Sequence, residues 1–384
     1  MRLALAVTAL LLATPAAGTE REIPRVTSGV PAWVAPGATI AVSGWTGSHA
    51  GAALLVDGRE VADARAGRLG RFRVSAVAPG RGVHRLALVT LGRRLELGAL
   101  RVRPLVLAAA GDVNLGDGVA AAIAAHGPRH PWLAVAPLLR SADVATANLE
   151  CAISTRGSPV PGKPFTFRGS PESLAAASRF AGLDVMSVAN NHSLDFGAAA
   201  FLDTVREARR AGLLLAGGGI DLARARSPAI VRAGGLRLAF LGYSDIPPFD
   251  FHATRTQPGT APASPDLIAA DVRVARRRAD LVVVWFHWGI ERTTVPGARQ
   301  RELAAAALGA GATLVLGAHP HVLQPVERRG RMLVAWSLGN FVFVPHSPGT
   351  DRTGVLLVRL DARGVRGHAF RPARIVGVQP RLTP

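Results

Sequence analysis

Five apolar runs in the 384-residue chain end in residue types that bind metal ions: Gly111-Asp112-Val113-Asn114, Asn148-Leu149-Glu150, Asn190-Asn191-His192, His287-Trp288-Gly289 and His319-Pro320-His321. Carboxylate, amide oxygen and imidazole together form the donor set of hard or borderline divalent cations. Residues two apart in an extended segment face the same way, so His319 and His321 can address one metal centre, as can Asp112 and Asn114. Two cations about 3.5–4 Å apart repel each other unless a carboxylate lies between them, and Glu150 suits that bridging place. Any one of these histidines alone is more often structural. Five polar tips in register are not explained by packing.

The element that must position such tips is a sheet of parallel strands. After Pro104, apolar segments alternate with Ala-, Leu- and Arg-rich helical stretches, the pattern of a layered α/β domain. Strands are expected at 105–110, 144–147, 185–189, 236–242, 281–286, 314–316 and 333–336, and helices at 171–181, 198–211 and 299–309. In α/β sheets ligands bind beyond the carboxyl ends of the strands, where all five tips fall. Ser244 and Asp245 follow a strand and are candidates to line the same crevice, and the Pro- and Thr-rich stretch 245–265 reads as a flap over it. Lys163 and Arg168 are candidates to contact an anionic substrate. Ahead of this domain (105–380), residues 26–103 carry short apolar runs at 39–42, 52–56, 71–77 and 84–90, broken by the turn signals Asp57-Gly58 and Pro79-Gly80. That spacing predicts a small all-β, immunoglobulin-like sandwich.

Composition bounds the rest. Arg2, the apolar run from Leu3 to Ala13 and the small residues Ala16-Ala17-Gly18 read as a signal peptide over residues 1–18. The run is short of the roughly 20 residues of a membrane span. The expectation is an exported protein, periplasmic or extracellular at the cell envelope. Cys151 is the only cysteine, so no internal disulfide forms, and it reads as a small buried side chain. The formal net charge of +19 is carried almost wholly by arginine, Lys163 being the only lysine. Such a surface is either simply solvated or attracts polyanions such as an acidic capsule polymer, teichoic acid or lipid headgroups. No nucleic-acid-binding motif is present, and no nucleic-acid partner is expected. The Gly217-Gly218-Gly219 run lacks the lysine and hydroxyl of a phosphate loop and reads as a turn.

The polar tips also carry a family resemblance. The chain resembles the poly-γ-glutamate capsule-synthesis (CapA) family through Gly111-Asp112, Ala147-Asn148-Leu149-Glu150, the run from Ala189 to Gly197, the run from Phe286 to Glu291, the run from Gly317 to His321, and Ser337-Leu338-Gly339-Asn340-Phe341. It extends from about Leu105 to Val344. The resemblance implies a four-layer α/β/β/α sandwich of the calcineurin-like metallophosphoesterase type and a role in exporting or assembling an anionic capsule polymer. Carried over motif by motif, it makes Asp112 the first-strand metal ligand, Glu150 the bridging carboxylate, and Asn191, His287, His319 and His321 further ligands. His192 becomes the acid that protonates the leaving oxygen, with Asp195 orienting it. The implied cofactor is a pair of divalent ions (Mn, Mg, Zn or Fe), and the implied reaction is attack of a metal-bound hydroxide on a phosphoester. Implied partners are a phosphoester or anionic polymer and a membrane-bound polymer-synthesis machinery. Two residues depart from the phosphoesterase pattern: Asn114 stands where histidine is usual, and Glu150 where aspartate is usual. A neutral amide ligates more weakly than imidazole, which leaves one metal position labile. The alternative is a non-catalytic, metal-containing assembly or binding protein that holds an extracytoplasmic polyanion.

Overall fold

The computed structural model describes residues 23–384, so the expected signal peptide lies outside the described residues. The described residues divide into two units, one made of residues 23–30, 41–76 and 85–99, the other of 31–40, 77–84 and 100–384.

The smaller unit is built of strands. In Arg71–Val77 the side chains of Phe72 and Val74 are buried while Arg71, Arg73 and Ser75 are exposed, the period-two pattern of a strand with one covered face. Arg25–Val26, Thr39–Trp45 and Arg71–Val77 form one sheet, and Gly51–Val56, Arg59–Arg65, Gly82–Thr90 and Arg93–Val102 pair in another. Val42, Leu54, Phe72, Val74 and Leu88 share a core. Asp57-Gly58 closes the hairpin between Val56 and Arg59, both residues having positive φ (51° and 81°). Two positive φ angles in succession match the right-handed twist of the flanking strands. The arginine-rich strands Arg59–Arg65 and Arg93–Val102 have no apolar alternation strong enough to announce them.

The larger unit holds two stacked sheets. One runs in the order Leu214–Ala216, Val185–Ser187, Val144–Leu149, Leu105–Val113, Arg352–Asp361, Gly364–Val376, Gln379–Leu382, with Asn340–Val342 pairing to the carboxyl end of Leu105–Val113. The first four of these strands are parallel, and the last three join antiparallel. The other sheet runs Ala229–Ala233, Leu236–Ser244, Leu281–His287, Leu314–Ala318, Met332–Ala335, Val326–Arg329, its middle four strands parallel. Val144–Leu149 and Leu281–His287 are buried at every position, as strands covered on both faces must be. Between the sheets the Trp285 Nε1–H donates to Thr146 Oγ1 at 2.9 Å.

Helices cover the outer faces. Pro171–Arg179 and Gly197–Ala211 give Leu174, Ala177, Phe201 and Ala208 to the core of the first sheet. Pro265–Arg276 and Ala298–Gly309 give Ile268, Val272, Leu303 and Ala307 to the core of the second. Their ends follow local chemistry. Ser170 caps Pro171–Arg179 by accepting from the Ser173 N–H, and Gly197–Ala211 stops at Gly212, whose φ of 79° a side chain would disfavour. Among the described residues no helix is long and apolar enough to cross a membrane.

The stretch 245–265 is partly structured: Phe249–Phe251 makes a helical turn, and Gly259–Thr260 pairs with Gly218–Gly219. The carboxyl-terminal strands Arg352–Asp361 and Gly364–Val376, which complete the first sheet, lay outside the expected elements.

Candidate metal centre

Parallel strands bring their carboxyl ends to one edge, and the two stacked sheets bring two such edges together. Asp112 and Glu150 arrive from adjacent strands of the first sheet, His287 and His319 from the ends of adjacent strands of the second. Close approach is needed for this: a Cβ on Gly111 would lie 1.8 Å from the Gly339 carbonyl oxygen, so only glycine fits beside the strand that carries Asn340. His319 and His321 both sit at positive φ (94° and 57°), backbone strain of the kind that folds retain where a side chain must be aimed.

Three groups of ligand atoms lie within 4.8 Å of one another: Glu150, His287 and His319; Asp112, Glu150 and His321; Glu291, His319 and His321. Glu150 is common to the first two. Its Oε1 is 3.6 Å from His287 Nε2, 3.8 Å from His321 Nε2 and 4.0 Å from His192 Nε2. Both carboxylate oxygens of Glu150, and Nδ1 of His319, are buried with no hydrogen-bond partner. Buried polar atoms without partners are rare and expensive, and a ring of them aimed at one point fits a divalent cation.

An amide scaffold holds these groups. Asn148 Nδ2 donates to Asp112 Oδ1 at 2.9 Å, and Asn190 Nδ2 donates to Asn148 Oδ1 at 3.2 Å and to the Leu149 carbonyl at 2.7 Å. Asn340 Oδ1 lies 2.9 Å from His321 Nδ1, and Asn191 Oδ1 lies 2.8 Å from His287 Nε2. Asn148, Asn190 and Asn340 had no role assigned from sequence. The signal that points to them is an asparagine at the end of two otherwise apolar strands and at the start of a third, where an amide is costly unless its hydrogen bonds are built in.

Electrostatics separates the donors. Burial, reinforced by the Asp112 charge, pushes the Glu150 carboxyl well above the usual carboxylate range. Burial and the neighbouring His321 pull the His319 imidazole down to about 3, and burial with His319 holds His287 far below its ordinary value. Burial also works against a charge on His321, but Glu150 and Asp112 outweigh it and hold that imidazole up at about 10. Two imidazoles held neutral beside one held charged make a candidate site at which binding of an ion would release a proton.

His192 stands at the rim with its own supports. Its Nδ1 lies 2.8 Å from Asp195 Oδ2 and 3.0 Å from Lys163 Nζ, and its ring lies on Phe167 with centroids 4.3 Å apart. Asp195 is fully buried, accepts the Phe167 N–H at 2.7 Å and is ion-paired with Lys163. Burial pulls the His192 imidazole below its ordinary value, against the raising effect of Asp195. Beyond it opens a cavity of about 460 Å³ whose walls include Phe165, Phe343, His321 and Arg292.

The remaining sequence candidates are placed as follows. Asn114 is buried at the same strand tip, but its Oδ1 accepts the Gly116 N–H at 2.8 Å. Lys163 is turned inward onto Asp195 and His192. Arg168 lies over the Phe196 ring at 4.2 Å and donates to the Gly157 carbonyl at 3.3 Å. Ser244 is buried, its backbone bridging to Ala261 and Ala263. Asp245 donates its N–H to the His287 carbonyl and pairs through its side chain with Arg299 at 3.1 Å. Cys151 is buried, with burial pushing its thiol up to about 12.

The sequence model of the family described as "Bacterial capsule synthesis protein PGA_cap" matches residues 106–345, which contain every residue of this centre. "PGA biosynthesis protein CapA" of Bacillus subtilis (strain 168) is 33% identical over 272 residues, covering 70% of this chain and 71% of that protein. "Capsule biosynthesis protein CapA" of Bacillus anthracis is 32% identical over 246 residues, covering 62% of this chain and 60% of that one. Among solved structures, a hypothetical protein from Thermus thermophilus aligns with a TM-score of 0.48 at 16% identity, over 70% of this chain and 99% of that one. The calcineurin-like phosphoesterase YfkN from Bacillus subtilis aligns with a TM-score of 0.44 at 14% identity, over 71% and 91%.

Proposed function

The chain belongs to the bacterial capsule synthesis family PGA_cap, and from that membership we propose that it serves the synthesis of a poly-glutamate or related anionic envelope polymer as a metal-dependent, phosphoesterase-type hydrolase. The observation that carries the proposal is Glu150: a carboxylate with both oxygens buried and unpartnered, within 4.0 Å of imidazole nitrogens from three separate segments. Asp112, Glu150, Asn191, His287, His319 and His321 would hold one or two divalent ions, and the two stacked sheets that bring them together fit a metallophosphoesterase-type sandwich. When bound, such ions supply Lewis-acid polarisation of a phosphoryl oxygen and lower the pKa of water.

The chain's own residues do the rest. His192 presents Nε2 to the crevice because Nδ1–H donates to Asp195, itself ion-paired with Lys163, and Phe167 backs the ring. In its protonated form, which Asp195 at Nδ1 favours against burial, His192 can pass the Nε2 proton to a leaving oxygen that enters the cavity. Arg292 at the cavity wall offers charge to an anionic substrate, and Phe165 and Phe343 narrow the space for water. In this reading the smaller unit is an immunoglobulin-like accessory module, and the protein works outside the cytoplasm beside the machinery that builds the polymer, the latter on the strength of the amino-terminal apolar run.

One observation favours the second reading, a metal-containing assembly protein without turnover: the Asn114 oxygen already accepts the Gly116 N–H, which weakens and aims away this neutral donor at the first strand tip. The two readings part on one experiment. Metal content of the purified protein and its Mn²⁺-dependent hydrolysis of p-nitrophenyl phosphate are measured for wild type and His192→Ala. The hydrolase reading expects bound metal in both proteins and a turnover loss of about 10²-fold or more in the variant. Bound metal with no hydrolysis of any member of a phosphoester panel sinks it.

A further inference from the structure

A second cavity, of about 600 Å³, opens at the other end of the first sheet and is walled by Pro36, Arg81, Pro104, Arg359, Asp361 and Arg366, all in the larger unit. Val106 also lines it and is the register partner of Arg359. Asp112 lies six residues further along the same strand, so at about 3.3 Å per residue the two sites are roughly 20 Å apart.

The charges around this cavity do not cancel. Its only carboxylate, Asp361, is buried and already served: it accepts the Arg363 N–H at 2.8 Å and has Arg331 and Arg366 each at 3.5 Å. Arg81 and Arg359 have no ion-pair, hydrogen-bond or ring partner among the described residues. Arg359 lies over a small neighbour and is exposed. Its cross-strand partner is Gly367, and a Cβ there would lie 2.8 Å from Arg359 Nη2, so the glycine leaves the space in which the guanidinium lies. Three guanidiniums facing one committed carboxylate between two rigid prolines make a concave cationic site. Guanidinium forks bind carboxylates in paired hydrogen bonds, and the proline and valine walls suit the methylenes that join such groups in a chain.

We propose that this cavity is a second anion site that grips carboxylates of a polyanionic chain about 20 Å from the metal crevice. The assignment of a polycarboxylate rests on the family reading above; the site itself does not require turnover. A protein with two such points along one strand holds a polymer in register with its crevice.

The test uses the full chain in EDTA at about 150 mM salt, with fluorescein-labelled poly-γ-glutamate as the probe and anisotropy as the readout. Arg81→Ala/Arg359→Ala/Arg366→Ala should bind at least tenfold more weakly than wild type. The charge-matched control Arg273→Ala/Arg277→Ala/Arg278→Ala, from exposed positions on and just after the Pro265–Arg276 helix, should bind within twofold of wild type. An equal loss in the control overturns the proposal, because general charge would then be the cause, and so does a cavity variant that binds like wild type. Polyphosphate of matched charge competing at lower concentration than unlabelled poly-γ-glutamate overturns the carboxylate assignment. If the triple variant lacks a thermal transition, the single exposed substitution Arg359→Glu gives the same comparison. No turnover is read, so failure of the hydrolase reading leaves these outcomes intact.

Discussion

Replacing Glu150 by glutamine should stabilise the metal-free protein and destabilise the metal-loaded one, an inversion that follows from its surroundings. A carboxyl whose folded pKa is raised above its unfolded value of about 4.3 gives up stability as pH rises past that value, by about 1.36 kcal/mol per unit until the group protonates. At pH 7 that sets a ceiling of roughly 4 kcal/mol. His321 stays charged across this range, held up at about 10, and offsets part of the loss. A net gain on the order of 2 kcal/mol is therefore expected for Glu150→Gln in chelator, or about 3 °C in Tm for a unit of this size. At pH 5 the ceiling falls to about 1 kcal/mol and the gain should shrink with it. With Mn²⁺ at about 100 times its Kd, wild type gains about 2.7 kcal/mol by linkage while the variant, lacking that carboxylate, gains little, and the order reverses. Differential scanning calorimetry at both pH values, with EDTA and with Mn²⁺, reads all four states. A variant that melts at or below wild type in EDTA at pH 7 would refute the claim that burying the Glu150 carboxyl costs more than His321 returns, and equal Mn²⁺ stabilisation of both proteins would refute its role as a ligand.

Three further outcomes follow from local geometry. Lys163→Met strips the cation from buried Asp195 and should lower stability by about 3 kcal/mol, with Lys163→Met/Asp195→Asn recovering more than about 1 kcal/mol in a double-mutant cycle by urea denaturation. Gly111→Ala places a methyl 1.8 Å from the Gly339 carbonyl and should cost more than about 3 kcal/mol, read as loss of soluble yield or a Tm drop of several degrees. Asp203, hydrogen-bonded by Arg156 and Ser154 and paired with Arg206, has its carboxyl held well below the usual range; its contribution is present above about pH 4 and lost as pH falls, so Asp203→Asn should lose less stability than wild type between pH 6 and pH 3 in urea titrations.

Much of the centre is legible in the chain because its residues obey a positional rule. Apolar runs such as Leu281–His287 announce a doubly covered strand, and the first polar residue after each one must sit at the sheet edge, which fixes where Asp112, Glu150, His287 and His319 go. What the runs do not announce is rotation. Asn114 shares a strand tip with Asp112 but turns to the Gly116 N–H, a choice made by one turn geometry rather than by residue type. Lys163 has the charge of a substrate contact, and only the folded loop shows it facing Asp195. The carboxyl-terminal strands were hidden for a different reason: Gly364–Val376 carries arginines, glycines and a proline along a half-exposed face, so no period of two stands out until its partner strand is in place.

The sole lysine of the chain has a use beyond its ion pair. Amine-directed reagents have, besides the amino terminus, one place to react, and that amine is closed off by Asp195, His192 and the Phe165 carbonyl. Acylation of Lys163, followed by mass spectrometry over minutes to hours, therefore clocks how often the loop carrying Phe165 and Phe167 lets go of the crevice. A ligand seated beneath that loop would lengthen the interval. The molecule carries its own side-chain reporter of opening, told apart from the amino terminus by peptide mass and readable without introducing any label position by mutation.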